Sequence, residues 1–257
     1  MKTQKKYKIS VLSNLRKGAL NNELKSSISL AKMIGAEIEV FYVKSPLDVI
    51  GYENQFSALK SIEENYIATD TRIRDIIKPI AEEYNIKIKH SFAFGNPKVE
   101  IKKYLDEATP DMVVIEKKKR IGLQSINIDL ASFILKQYNG VVMIMQPKFL
   151  LNPNEKLSLG LFDSLEPKLD VDFNKVLLQH RKGPVPLFKI RDKKEAPTRT
   201  NLSDEVEEFI FEKGVSGLKN ISNYLVKKGV NLLCVDRKTL KTHSVNQLNV
   251  PLLVTNN

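Results

Sequence analysis

Met112-Val113-Val114-Ile115 is followed at once by Glu116-Lys117-Lys118-Lys119-Arg120. Four apolar residues in a row are what a strand buried on both faces requires. An abrupt step to charge marks the carboxyl end of such a strand, where parallel α/β sheets bind their ligands. A second copy, Leu232-Leu233-Cys234-Val235 and then Asp236-Arg237-Lys238, lies 120 residues further on. The helix in front repeats in the same register: Ile101, Tyr104 and Leu105 answer to Ile221, Tyr224 and Leu225. Ile101 to Glu116 and Ile221 to Asp236 both span 15 positions, so no gap is needed. The chain therefore reads as two copies of one α/β unit.

The elements around these two strands follow the same alternation. Ile9–Leu12 is a strand ending at Ser13. A helix lined by Leu24, Ile28 and Ala31 is capped by Asn21 or Asn22 and stopped at Gly35. Ile38, Val40 and Tyr42 alternate as a second strand, and a long helical pattern runs from about 54 to 84, with Pro79 expected to kink or restart it. Ile86, Ile88, Phe92 and Phe94 alternate as a third strand, with His90 on the same face as a packed residue. Asn96 caps the next helix, Pro97 takes its first position and Thr109-Pro110 ends it. After the fourth strand, a helix near 129–138 leads to a fifth strand, Val141–Met145. Residues 147–154 are a linker. In the second unit, 157–165 repeats the first strand with Asp163 in the place of Ser13, a short helix falls near 170–180 and a strand near 185–190. Residues 206–213 fit helix or strand by pattern, and the 120-residue register makes them strand. Ser216 caps a helix over 217–228 closed by Gly229, and Val250–Val254 repeats the fifth strand. The long second helix has no counterpart, so the second unit is a trimmed copy. The expectation is two tandem doubly wound parallel five-stranded sheets of order 3-2-1-4-5, over 1–147 and 156–257.

Composition excludes several classes. Forty-one basic and 30 acidic residues give a net charge of +11, but the basic residues are scattered, which reads as a solvated surface rather than a nucleic-acid face. Cys234 is the only cysteine, so no intramolecular disulfide forms, as suits a reducing cytoplasm. No apolar run reaches membrane-spanning length. His90, His180 and His243 have no companion cysteines at ligand spacing, so no metal is expected. No nucleophile–base pattern, P-loop or dinucleotide fingerprint is present. Gly214-x-x-Gly217 reads as a tight turn before a helix rather than a phosphate loop. Glu116 and Asp236 read as strand-end acids paired with neighbouring lysines.

Five strands recurring in order and twice, with Gly95-Asn96-Pro97 through Ile115 as the best-matching stretch, resemble the universal stress protein family over nearly the whole chain. The resemblance implies an adenine nucleotide alpha hydrolase-like fold and a nucleotide crevice between the first and fourth strands. Nucleotide-binding members place an acid at the end of the first strand. After the fourth strand they carry Gly-x-x-Gly, a nine-residue spacer, then Gly and Ser or Thr. Such glycines let backbone N–H groups approach phosphate at a helix N-terminus. Here Ser13 stands for the acid, Lys119 for the first glycine, and Gly122 keeps the second. The final Gly-Ser position falls on Ile128-Asp129 or Ser132-Phe133, depending on the direction of counting. The second unit keeps Asp163 but has no glycine from Asp236 to Asn249. Ser13, Lys118, Lys119, Gly122 and Asp163 are thus a relict site, with Lys118 and Lys238 expected to lean over the strand ends. The reading is a non-enzymatic, cytoplasmic stress-response protein, acting by protein interaction or small-ligand sensing without a cofactor. One alternative is an ATP-binding stress protein using Lys117–Arg120 in place of the glycines; the other is a basic protein that binds nucleic acid or another polyanion. The resemblance also implies pairing through the last strands. Val141–Met145 and Val250–Val254 should therefore lie side by side as an intramolecular pseudo-dimer, with a homodimer of whole chains left open.

Overall fold

The structure, a computed structural model, describes residues 7–13, 15, 19–44, 55–117, 130–146, 149–163, 177, 179, 183–191, 206–242 and 248–255. In the first unit β1 (Lys8–Ser13), α1 (Ala19–Ile34), β2 (Glu37–Lys44), α2 (Gln55–Tyr84), β3 (Ile88–Phe94), α3 (Pro97–Ala108), β4 (Met112–Glu116), α4 (Leu130–Gln137) and β5 (Val141–Met145) alternate. The second unit contributes β6 (Leu159–Phe162), β7 (Val185–Arg191), β8 (Val206–Glu212), α5 (Val215–Lys227), β9 (Leu232–Asp236), α6 (Arg237–Thr242) and β10 (Leu252–Thr255). The helix expected near 170–180 lies outside the described residues except for helical Leu177 and Gln179.

All ten strands form one sheet, in the order β3-β2-β1-β4-β5-β10-β9-β6-β7-β8. Within each half every pairing is parallel and the order is 3-2-1-4-5. The halves meet where β10 runs antiparallel to β5, with Leu253 opposite Met143. Strands buried on both faces need apolar residues in both alternating sets. Met112 and Val114 accordingly enter one core with Leu24 and Ile28 of α1 and Ile73 and Ile77 of α2. Val113 and Ile115 enter the other, with Ile101 and Leu105 of α3 and Ile134 of α4. Each core runs on through the second unit, to Leu232 and Cys234 on one face and to Leu233, Val235 and Ile221 on the other. Fourteen residues, 192–205, join β7 to β8, whereas 45–87 join β2 to β3, so the second unit has no room for a copy of α2. On the face that α2 covers in the first unit, the second carries an ion pair, Lys189–Glu208.

Several local readings are corrected. α1 begins at Ala19 and not at an Asn21 or Asn22 cap, because fully buried Leu20 extends the Leu24–Ile28 stripe one turn earlier. Pro79 does not restart α2, which runs through it from Gln55 to Tyr84. The residue is exposed, where the loss of its N–H donor costs a helix least. α5 begins at Val215 behind Gly214, which has φ 148°, and not behind Ser216. Asn96 and Pro97 open α3 as expected, the Asn96 Oδ1 accepting the Lys98 N–H at 3.0 Å.

Candidate functional site

Parallel pairing of β1 with β4 puts Leu12 opposite Ile115, so Ser13 and Glu116 end side by side at the point where strand order reverses. Of the residues singled out from sequence, Ser13 and Asp163 are described; Lys118, Lys119, Gly122 and the Ile128-Asp129 pair lie outside the described residues. Ser13 is buried, and its Oγ accepts the Leu15 N–H at 3.2 Å. Leu15 has φ 51°, and its carbonyl accepts from Arg72 of α2 at 2.9 Å. Arg72 thus ties Leu15, just past the end of β1, to α2.

Sequence reasoning missed the group that occupies this place. Glu23 lies in the second turn of α1 and is only 2% exposed. Its carboxyl receives hydrogen bonds from the Ser13 hydroxyl and the Glu116 backbone N–H, while Oε2 has no hydrogen-bond partner. Burial pushes the Glu23 carboxyl up from the ordinary carboxylate range to about 8, and the neighbouring Glu116 charge pushes it the same way. The two hydrogen bonds pull it down, but by less. Ser26, Ser27 and Ser29 of the same helix are also buried, so α1 is enclosed on several sides.

The second unit is built differently. Continuing the β6–β9 register past Leu161 opposite Cys234 places Asp163 beside Asp236. Asp163 is exposed at φ 64°, and its N–H donates to the Phe188 carbonyl at 2.8 Å. Asp236 caps α6: its Oδ1 accepts the Thr239 N–H at 2.7 Å and its Oδ2 the Thr239 hydroxyl at 2.8 Å. That capping role replaces the pairing expected of a strand-end acid. β9 runs straight into α6 with no loop between them, so the residues immediately after the strand are helical. Lys238 is exposed on α6, and its neighbour Arg237 turns away to the first unit, donating to the Leu135 and Gly140 carbonyls at 2.6 Å each.

Other features carry structure. His90 Nε2 is 2.7 Å from Asp70 Oδ1, and Arg74 holds the other Asp70 oxygen at 2.8 Å, so the ring expected to be merely packed ties β3 to α2. These partners hold the Asp70 carboxyl below the usual carboxylate range, His90 contributing most. Burial pushes the Cys234 thiol up to about 12. Gly217 donates to the Gly214 carbonyl at 3.1 Å, a tight turn into α5. A groove of about 500 Å³ runs between α3 and α4, lined by Val99, Lys98, Lys102 and Phe133, with Lys102 paired to Asp106. Among the described residues no acidic, histidine and cysteine side chains cluster as a metal site, and no helix is long and apolar enough to cross a membrane.

No family model and no curated protein matches this sequence. Solved structures do. A universal stress protein from Archaeoglobus fulgidus DSM 4304 superposes with a TM-score of 0.68 at 15% identity, over 97% of this chain and 96% of that one. A functionally unknown protein from Pseudomonas aeruginosa PAO1 gives 0.59 at 11% identity, over 98% and 93%. A putative universal stress protein from Pseudomonas aeruginosa UCBPP-PA14 gives 0.57 at 11%, over 98% and 94%. These lengths match end to end, so the likeness covers the tandem and not one unit. The fold is that of a tandem universal stress protein, with both units supplied by one chain.

Proposed function

We propose that the protein is a universal-stress-protein-like stress-response protein of the cytoplasm. It is non-enzymatic, acts through protein contact or small-ligand sensing, and its nucleotide crevices are degenerate. We read the β5–β10 seam as an intramolecular pseudo-dimer. The observation that carries the reading is Glu23, an acid 2% exposed beneath the ends of β1 and β4. Acid in that place disfavours phosphate in either protonation state: ionised it repels the anion, and neutral it takes the Ser13 hydroxyl and the Glu116 N–H for itself. In the second unit the absence of a loop between β9 and α6 supports the same reading.

Calorimetry with ATP at pH 7 tests it. Binding should be weaker than about 1 mM, or roughly −4 kcal/mol. Micromolar binding would overturn the degenerate-site reading. The Lys118→Ala and Asp163→Ala variants would then identify the unit responsible. Binding to a polyanion that falls steeply with salt would instead favour a nucleic-acid partner.

A further inference from the structure

The ten-stranded sheet ends at β3 and β8, and its two edges are finished differently. Among the described residues β3 pairs with β2 alone and β8 with β7 alone. The Gly95 N–H donates to the Lys44 carbonyl of β2, and backbone groups alternate in direction along a strand. Lys89, Ser91 and Ala93 therefore turn their N–H and C=O toward β2, while Ile88, His90, Phe92 and Phe94 turn theirs outward. The Lys213 N–H on the Arg191 carbonyl fixes the same alternation in β8, where Val206, Glu208, Ile210 and Glu212 face outward. Edge acids guard a strand against pairing with another. β3 has neither acid nor proline, its Lys89 is held by Glu37 of β2 at 2.9 Å, and its His90 by Asp70 of α2 at 2.7 Å. Beside it Tyr66 of α2 is 54% exposed, with its ring 4.6 Å from that of Phe92 and 6.4 Å from that of Phe94, and Ile67 is 58% exposed. An exposed apolar patch along an unguarded edge strand marks an interaction surface.

We propose that the β3 edge joins two copies of this chain, β3 pairing antiparallel with β3 about Ser91 across a two-fold axis. Self-complementarity selects a second copy as the occupant. Pairing about Ser91 sets Ile88 opposite Phe94 and His90 opposite Phe92, so each outward N–H and C=O of β3 meets its counterpart and aromatic rings meet apolar neighbours. Lys89 falls opposite Ala93, so no like charges meet. The axis also brings the two α2 helices side by side and antiparallel. Exposed Glu63, Ile67, Arg74 and Lys78 form one stripe of α2, and Asp70, which holds His90, places that stripe on the β3 side. Its acid lies at one end and its bases at the other, so antiparallel helices set Glu63 against Arg74. The same operation about Phe209 of β8 sets Val206 against Glu212 and Glu208 against Ile210, acid against apolar in each case. A β3–β8 contact between copies is heterologous and has no two-fold to close it. The pairing stands apart from the state of the nucleotide crevices.

Sedimentation equilibrium of the full chain tests it, with amide exchange read residue by residue. The parent should interconvert between one copy and two with a Kd on the order of micromolar. The amides of Ile88, His90, Phe92 and Phe94 should gain protection as the chain concentration rises. Those of Lys89, Ser91 and Ala93, which face β2, should be protected throughout. Ile67→Glu brings an acid up to Asp70 of the second copy and should weaken pairing about tenfold or more. Ile67 is more than half exposed, so this variant keeps the fold. Ile210→Lys, on the β8 edge, should leave the Kd unchanged. A parent that stays single up to about 100 μM overturns the proposal. So do assemblies larger than two copies, and so does a dimer in which the four outward β3 amides gain no protection.

Discussion

Glu23 sits where a helix favours an acid, near its positive end, and nothing local says that it turns inward. Burial reverses its chemistry. In the unfolded chain the carboxyl titrates near its ordinary value of 4.5, and in the folded one near 8. The folded state therefore holds a proton that the unfolded state has lost between those two values. Stability from this group is full below about pH 4.5 and falls as pH rises toward 8, at up to about 1.4 kcal/mol per pH unit. Glu23→Gln removes the titration. Its urea midpoint should match the parent's near pH 4.5 and exceed it increasingly up to pH 8. Parallel midpoints across that range would show that Glu23 is not buried as a neutral acid.

Among the elements, the turn from β8 into α5 is tightly built against backbone. Gly214 has φ 148°, and a Cβ on Gly217 would stand 2.3 Å from the Glu212 carbonyl oxygen. That oxygen is backbone and cannot swing aside as a side chain would. Gly217→Ala should therefore cost on the order of 1–3 kcal/mol, read as a lowered thermal midpoint. An unchanged midpoint would mean that α5 can shift off β8 at no cost. The pattern Gly214-x-x-Gly217 was legible as a turn, since two glycines before an apolar stripe mark one. Its tightness was not, because it depends on where β8 delivers the Glu212 carbonyl. The start of α1 was misplaced for a similar reason: asparagines invite a cap, but burial of Leu20 outweighs them by adding a turn to the packed face.

Across the whole molecule, contacts from outside the sheet reinforce the β5–β10 seam. Arg237 spans from α6 to two carbonyls of the first unit, Gln146 donates to the Leu248 carbonyl at 3.0 Å, and the Leu151 N–H binds Ser26 Oγ of α1 at 3.0 Å. The segment between the units is thus packed onto α1, with Leu151 and Leu157 in the core. Hydrogen bonds to a charged group contribute more than neutral ones, so Arg237→Ala should cost about 2–3 kcal/mol. Because both cores run through the seam, urea should unfold the parent in one transition. In Arg237→Ala that transition should move to lower urea. No movement at all would mean that the seam rests on β5 and β10 alone.

The alternation of strands and helices, the two matching fourth strands and the trimmed second copy are all legible in the sequence. These are periodic or length signals carried by neighbouring residues: Val113 and Val114 must both be apolar if the strand between them has cores on both sides, and 14 residues cannot hold a 30-residue helix. What lies at the ends of β1 and β4 is legible only in the packed molecule. Whether Glu23 is a solvated helix acid or a buried neutral one depends on β1 and β4, which arrive from ten and more than ninety residues away. Whether Asp236 pairs or caps depends on a helix beginning at the next residue, and whether Arg237 joins two units depends on β10 lying against β5. Charge and polarity are written in the chain, but desolvation belongs to the packed molecule, and desolvation sets the chemistry of an acid such as Glu23.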